Sequence, residues 1–148
     1  MPIFLFLFFH IIFAGSAPDE HLASENRFVK VDVALANAAV RSGGKGTILV
    51  SFTPVDGIHI NADPPLAVKL EKNRFISLRG KPNVSTDKES GFLSTSAPIE
   101  QGFHVSRNAK PGEHVIKGTI VYYFCSDAEG WCTRFVQPIM LTLNIQRK

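Results

Sequence analysis

The 148-residue chain holds only two cysteines, two methionines, two tyrosines and one tryptophan. So few cysteines exclude a disulfide-dense small scaffold. With no second Cys pair, the usual four-ligand zinc site is short of ligands. Sixteen Lys and Arg against thirteen Asp and Glu is a slight basic excess. It is spread along the chain, which argues against a nucleic-acid partner, whose contacts would need clustered cations. Helical signal is scarce too: Val33 to Val40 is alanine-rich, yet it lies in a strand-like context and lacks caps. No internal repeat and no linker is visible, so a second domain is not expected.

There is one long apolar run, and it stands at the start. Residues 3 to 13 read Ile-Phe-Leu-Phe-Leu-Phe-Phe-His-Ile-Ile-Phe and hold five of the twelve phenylalanines. The small residues Ala14-Gly15-Ser16-Ala17 follow, and then the polar Pro18-Asp19-Glu20. That is the plan of a secretory signal peptide, although the segment before the run has no Lys or Arg. A spanning helix needs about 20 apolar residues, more than this run supplies. The expected division is a signal peptide at 1–16 and one domain at 17–148, with no membrane span after cleavage. A domain of that size buries roughly two-thirds of its unfolded surface and folds without help from disulfides. Export to an oxidising compartment favours pairing of the two cysteines.

The rest of the chain alternates with period two. In Phe28 to Leu35, Val29, Val31, Val33 and Leu35 share one face, and Lys30 and Asp32 the other. Thr47 to Val55 is rich in β-branched and aromatic residues, after the turn signal Ser42-Gly43-Gly44-Lys45-Gly46. Leu66 to Glu71, Phe103 to Val105, Val115 to Phe124 and Thr133 to Ile145 read as further strands. Pro138 inside the last marks a bulge or an edge position. About seven strands separated by turns predict an all-β, immunoglobulin-like antiparallel β-sandwich. Gly80 to Gln101 reads as one long loop, of a length usually functional or mobile.

Cys125-Ser126-Asp127-Ala128-Glu129-Gly130-Trp131-Cys132 lies between the two longest strand patterns of the C-terminal half. If these form a hairpin, both cysteines sit at its tip, within disulfide reach. As a staple, so small a ring contributes about 2.5 kcal/mol in the loop-entropy account. As an exposed short-range disulfide, it is open to an attacking thiolate. The residues alone leave both uses open. Asp127 and Glu129 disfavour a thiolate, and Arg134 works the other way. Trp131 and Tyr123 are candidates to shield the sulfurs, with hairpin packing as their ordinary role. For metal binding, the six-residue spacing is too wide for a zinc pair and the histidines at 21, 59, 104 and 114 are scattered. Met140 reads as a core strand residue.

Two motifs bear a family resemblance. Asp56-Gly57-Ile58-His59-Ile60-Asn61-Ala62-Asp63-Pro64-Pro65-Leu66 resembles a G-x-H-I-N-x-x-P-P segment of the N-terminal periplasmic domain of the thiol:disulfide interchange protein DsbD. Val121-Tyr122-Tyr123-Phe124-Cys125, continued by Gly130-Trp131-Cys132, is similar to that domain's aromatic strand and cysteine loop. The match in order runs from about Phe28 to Ile145. It implies a sandwich of the bacterial periplasm that takes electrons from a membrane-embedded thiol reductase and passes them to thioredoxin-like proteins, with no cofactor. By position, Cys132 matches the cysteine that forms the mixed disulfide, and Cys125 the resolving one. The family's mobile cap loop corresponds to Asp87 to Phe92, with Phe92 as the shield. His59, Asn61, Pro64 and Pro65 belong to the motif and read as structural, Asn61 tying a loop through backbone hydrogen bonds.

Two departures qualify the resemblance. The cysteine loop is one residue longer than the family pattern, and the sequence ends at Lys148 without the membrane and thioredoxin-like domains. The expected electron donor is therefore another chain. The competing expectation is a secreted immunoglobulin-like binding or assembly module with a purely structural disulfide, docking through an exposed edge strand.

Overall fold

Period-two alternation becomes strand throughout the computed structural model, which describes residues 26–148; the expected signal peptide lies outside them. Nine strands follow in order: β1 Val29–Leu35, β2 Ala39–Arg41, β3 Lys45–Pro54, β4 Ile58–Ile60, β5 Ala67–Leu70, β6 Ile76–Asn83, β7 Ile99–Val105, β8 Gly112–Ser126 and β9 Trp131–Gln146. They form an immunoglobulin-like β-sandwich. One sheet has the order β1-β3-β7-β6, with every pairing antiparallel. In the other, β9 lies between β2 and β8, and β4 and β5 pair with successive stretches of the far edge of β8. The β2–β9 pairing is parallel. No helix among the described residues is long and apolar enough to cross a membrane.

Alternation decides which side chains fill the space between the layers. Ile48, Val50 and Phe52 of β3 face Ile116, Ile120, Tyr122 and Phe124 of β8, all nearly inaccessible to solvent. Phe103 of β7 lies across Gly46, where a Cβ would meet its ring at 2.2 Å. Burial of one such side chain contributes about 1.5–3 kcal/mol. Burial raises the Tyr122 phenol above its ordinary value, and its hydroxyl accepts from Asn26 Nδ2 at 3.0 Å.

Several expectations change. The alanine-rich stretch from Val33 to Val40 is the end of β1, a turn and most of β2. The long loop is shorter than expected, because β6 runs on to Asn83 and β7 begins at Ile99. Gln101 explains how a strand with a register shift between Arg79 and Asn83 stays paired. Its buried amide donates to the carbonyls of Arg79, Gly80 and Gly102, at 3.1, 3.4 and 2.9 Å. Met140 is no core residue: it is 71% exposed. The inward side chains of β9 are Ile139, Leu143 and Ile145, so an even-numbered neighbour must point outward.

Pro138 occupies an edge position without a bulge. It pairs with Thr119 in an unbroken register, and β2 covers β9 only from Asn144 onward. Asn144 donates its N–H away from β8, to Ala38 O at 2.8 Å. Pro138 shares that parity, so its missing N–H faces the uncovered side of β9.

Candidate functional site

The β8–β9 hairpin places Cys125 opposite Cys132, one pair in from the Ser126–Trp131 pair that closes the turn. The two are joined, with S–S 2.01 Å and Cα–Cα 4.1 Å. That Cα spacing belongs to a non-hydrogen-bonded pair of an antiparallel ladder, where facing side chains come closest. Tyr122 and Phe124 point into the core, so the disulfide lies on the outward face of its sheet. Its two cysteines are unequal in exposure: Cys125 is 3% exposed, whereas Cys132 is open to solvent.

The register of β4 on β8 sets His59 opposite Cys125. His59, Cys125 and Cys132 therefore form one row across three strands. Asn61 lies two residues beyond His59, on the same face, and its Oδ1 is 3.3 Å from Cys125 Sγ. While the disulfide is intact this is a contact without a hydrogen. After reduction the Cys125 thiol has an acceptor in place. The Asn61 backbone N–H donates to Tyr123 O at 2.9 Å, so a backbone bond extends β4 and leaves the side chain to the sulfur. Asn61, expected to tie a loop, meets the sulfur instead. Its signal was the alternation His59-Ile60-Asn61, which puts both polar side chains on one side of a strand.

Phe92 stacks on His59, with ring centroids 3.5 Å apart and planes 8° from parallel. Asp127, in the cysteine loop, approaches the same imidazole, with Oδ2 3.5 Å from His59 Nδ1. The segment 84–98 thus reaches the row through His59. It is anchored to β4 by Leu93 N–H donating to Ile60 O at 2.9 Å, and a bridge between Thr86 and Leu93 closes it on itself. Its tip is an Asp87 turn: the N–H groups of Glu89 and Ser90 and the Ser90 hydroxyl donate to Asp87 Oδ1. The Ser90 backbone bond is the chief cause that holds the Asp87 carboxyl below its ordinary range. Between this segment and β4 lies a groove of about 320 Å³ that includes Pro54, Ile58 and Ser96.

Trp131 faces inward at the hairpin end. Its ring packs against Phe28 and Phe124, with centroids at 5.2 and 5.8 Å, and its Nε1–H donates to the Glu129 carboxylate. Tyr123 is half-buried on the outward face and pairs with Arg134. Pro64 and Pro65 are exposed between β4 and β5, and the Asp63–Pro64 peptide is cis. Among the described residues no group of three His, Cys, Asp or Glu side chains is placed to hold a metal ion.

No protein-family profile matches the chain, and no curated protein sequence does. Among solved structures it is similar to a cohesin module from a family 33 glycoside hydrolase of Clostridium perfringens. That likeness has a TM-score of 0.52 at 10% identity and covers 82% of this chain and 98% of that one. The N-terminal periplasmic domain of ScsB from Proteus mirabilis aligns with a TM-score of 0.47 at 13% identity, over 87% of this chain and 49% of that one. AggA, the major subunit of aggregative adherence fimbriae type I from Escherichia coli, aligns with a TM-score of 0.39 at 11% identity, over 85% and 99%. At such identities the likeness is one of fold. Fold and site together define a β-sandwich domain with a cross-strand disulfide on its outward face, one cysteine buried and one exposed.

Proposed function

We propose that the chain is a thiol–disulfide exchange module of the bacterial periplasm, working through Cys125 and Cys132. The observation that carries this reading is the unequal exposure of the two cysteines beside a waiting acceptor on Asn61. A partner thiolate attacks Cys132 Sγ, the Cys125–Cys132 bond breaks, and the Cys125 sulfur leaves with the electron pair. It takes up a proton from solvent, and the resulting thiol donates a hydrogen bond to Asn61 Oδ1. A second partner thiolate then attacks the partner's own sulfur in the mixed disulfide and releases Cys132. The partner loses two electrons and two protons, and this chain gains both as a dithiol. The reverse sequence passes them on. The partners that fit are a membrane-embedded thiol reductase as donor and thioredoxin-like proteins as acceptors, as the resemblance to the DsbD family implies.

A staple is the less economical explanation. The hairpin is held by 15 cross-strand pairs over strands of 15 and 16 residues, so its register stands without the disulfide. The reduction potential of the Cys125–Cys132 pair tests the proposal. We expect it above about −300 mV, the region below which structural disulfides of secreted proteins lie. A value well below that, together with no mixed disulfide trapped on Cys132 in Cys125→Ser, would leave the alternative: a binding or assembly module whose open β9 edge does the docking.

A further inference from the structure

We propose that the end of the sandwich remote from the disulfide binds a phosphate group. The site is independent of the exchange reading. Pro54 and Lys45 are the two ends of β3, and Pro54 belongs to the groove beside His59. Lys45 therefore stands about 30 Å away along an extended strand.

At that end, register gathers donors on one face. Lys45, His104 and Ser77 are cross-strand partners on β3, β7 and β6, so their side chains emerge together on the outward side of the four-stranded sheet. The next row on that face is Thr47, Gly102 and Arg79, and Gly102 leaves its middle bare. Beside the first row opens a cleft of about 390 Å³, where Arg74, Ser77, His104, Ser106 and Arg107 converge. Every ionisable side chain lining it is basic. Among the described residues neither arginine has a carboxylate within 4.0 Å; the ion pairs that form are Lys30–Asp32 and His59–Asp127. The nearest acid on the same face, Glu100, is two rows farther along β7.

The cleft is framed before any ligand arrives. The Ser106 N–H donates to Phe75 O at 2.7 Å, tying the loop after β7 to the loop before β6. Asn73 Oδ1 accepts from the N–H groups of Phe75 and Ile76, at 2.8 and 3.1 Å. Gly43 donates to Ser106 O at 3.2 Å, and at φ +79° it lets the Arg107 stem lie against the turn, where a Cβ would meet Arg107 Cγ at 3.0 Å. The Phe75 ring lies under the Arg74 guanidinium at 5.9 Å and meets the His114 ring edge-on at 5.6 Å. Two guanidinium forks, two hydroxyls and an imidazole, supplied by two loops and two strands, suit the several oxygens of a phosphate better than the two of a carboxylate.

Titration of the isotope-labelled protein with inorganic phosphate, at constant ionic strength in chloride, tests this. We expect saturable shifts confined to the amides of Ser77, His104, Ser106 and Arg107, with half-saturation in the millimolar range. Arg74→Gln/Arg107→Gln should weaken binding at least tenfold, while Lys30→Gln on a distant edge strand leaves it unchanged. Because both arginines are exposed, the double variant should keep the wild-type spectrum elsewhere. If it does not, Ser77→Asp, which places a negative charge in the cleft, must abolish the shifts. Sedimentation with phosphatidylglycerol vesicles, against phosphatidylcholine alone, separates the sources. Binding to those vesicles that the double variant loses identifies a lipid headgroup. Phosphate shifts without sedimentation identify a soluble phosphate. Absence of saturable shifts, or vesicle binding that the double variant retains, overturns the site.

Discussion

The two ends of the sandwich differ in how they treat charge. Around the disulfide, an imidazole is paired with a carboxylate, and Asp56, Glu129 and Asp127 stand near the sulfurs or beside Trp131. At the far end, Lys45, Arg74, Arg107 and His104 gather with no carboxylate among them. The construction differs as well. The disulfide row is set by strand register alone, with His59, Cys125 and Cys132 each fixed by a ladder partner. The basic cleft needs two loops to close it, and those loops hold their shape through Asn73, Ser106 and Gly43. A site that exchanges covalent bonds depends on sulfur placement, which strands fix. A site that attracts an ion depends on summed charge, which loops can supply.

The largest expected effect breaks this comparison from the core beneath the basic end. Phe103→Ala should cost about 3–5 kcal/mol in denaturant unfolding, since it leaves a cavity above Gly46. The disulfide end should matter less for stability. Cys125→Ser/Cys132→Ser should lose about 2.5 kcal/mol or less, and the fold should survive. If the double serine variant were instead unfolded, the disulfide would be a staple, and the contrast between a structural end and a reactive end would fail. The smallest effect concerns the Asp87 turn. Its lowered pKa means that its hydrogen bonds stabilise the turn above the ordinary carboxyl value of 3.8 and are lost as pH falls through the lower folded value. Acid titration followed on the Glu89 and Ser90 amides should show the turn opening below that value while the β8–β9 ladder stays protected. Opening already near pH 6 would assign the turn to another group.

Much of the fold was legible because strands that alternate cleanly announce themselves. β1, β3, β5, β8 and β9 follow from the spacing of Val, Ile and aromatic residues. The hairpin that joins Cys125 to Cys132 follows from two such runs around a short polar loop. What was hidden depended on neighbours far away in sequence. β2 and β4 have three residues each and exist because β9 and β8 offer them an edge. β6 continues through Gly80, Lys81 and Pro82, which look like a loop, because Gln101 bonds across the irregular stretch. At the site, the cysteines were readable from their flanks. The approach of Asn61 to Cys125, and of Asp127 to His59, was not, since it needs the register of β4 on β8. Met140 shows the converse: the odd-numbered apolar residues around it held the answer, and one apolar side chain out of phase was enough to mislead.

Pro138 has a consequence for how copies of the chain behave in a crowd. No described strand covers β9 between Trp131 and Leu143, so a second chain could lie along it and begin a growing stack. The proline removes the donor midway along that border. It divides that border into a stretch of seven residues (131–137) and one of five (139–143), each short for a template. A single ring closure at one position thus interrupts the ladder that a second chain would need along that border.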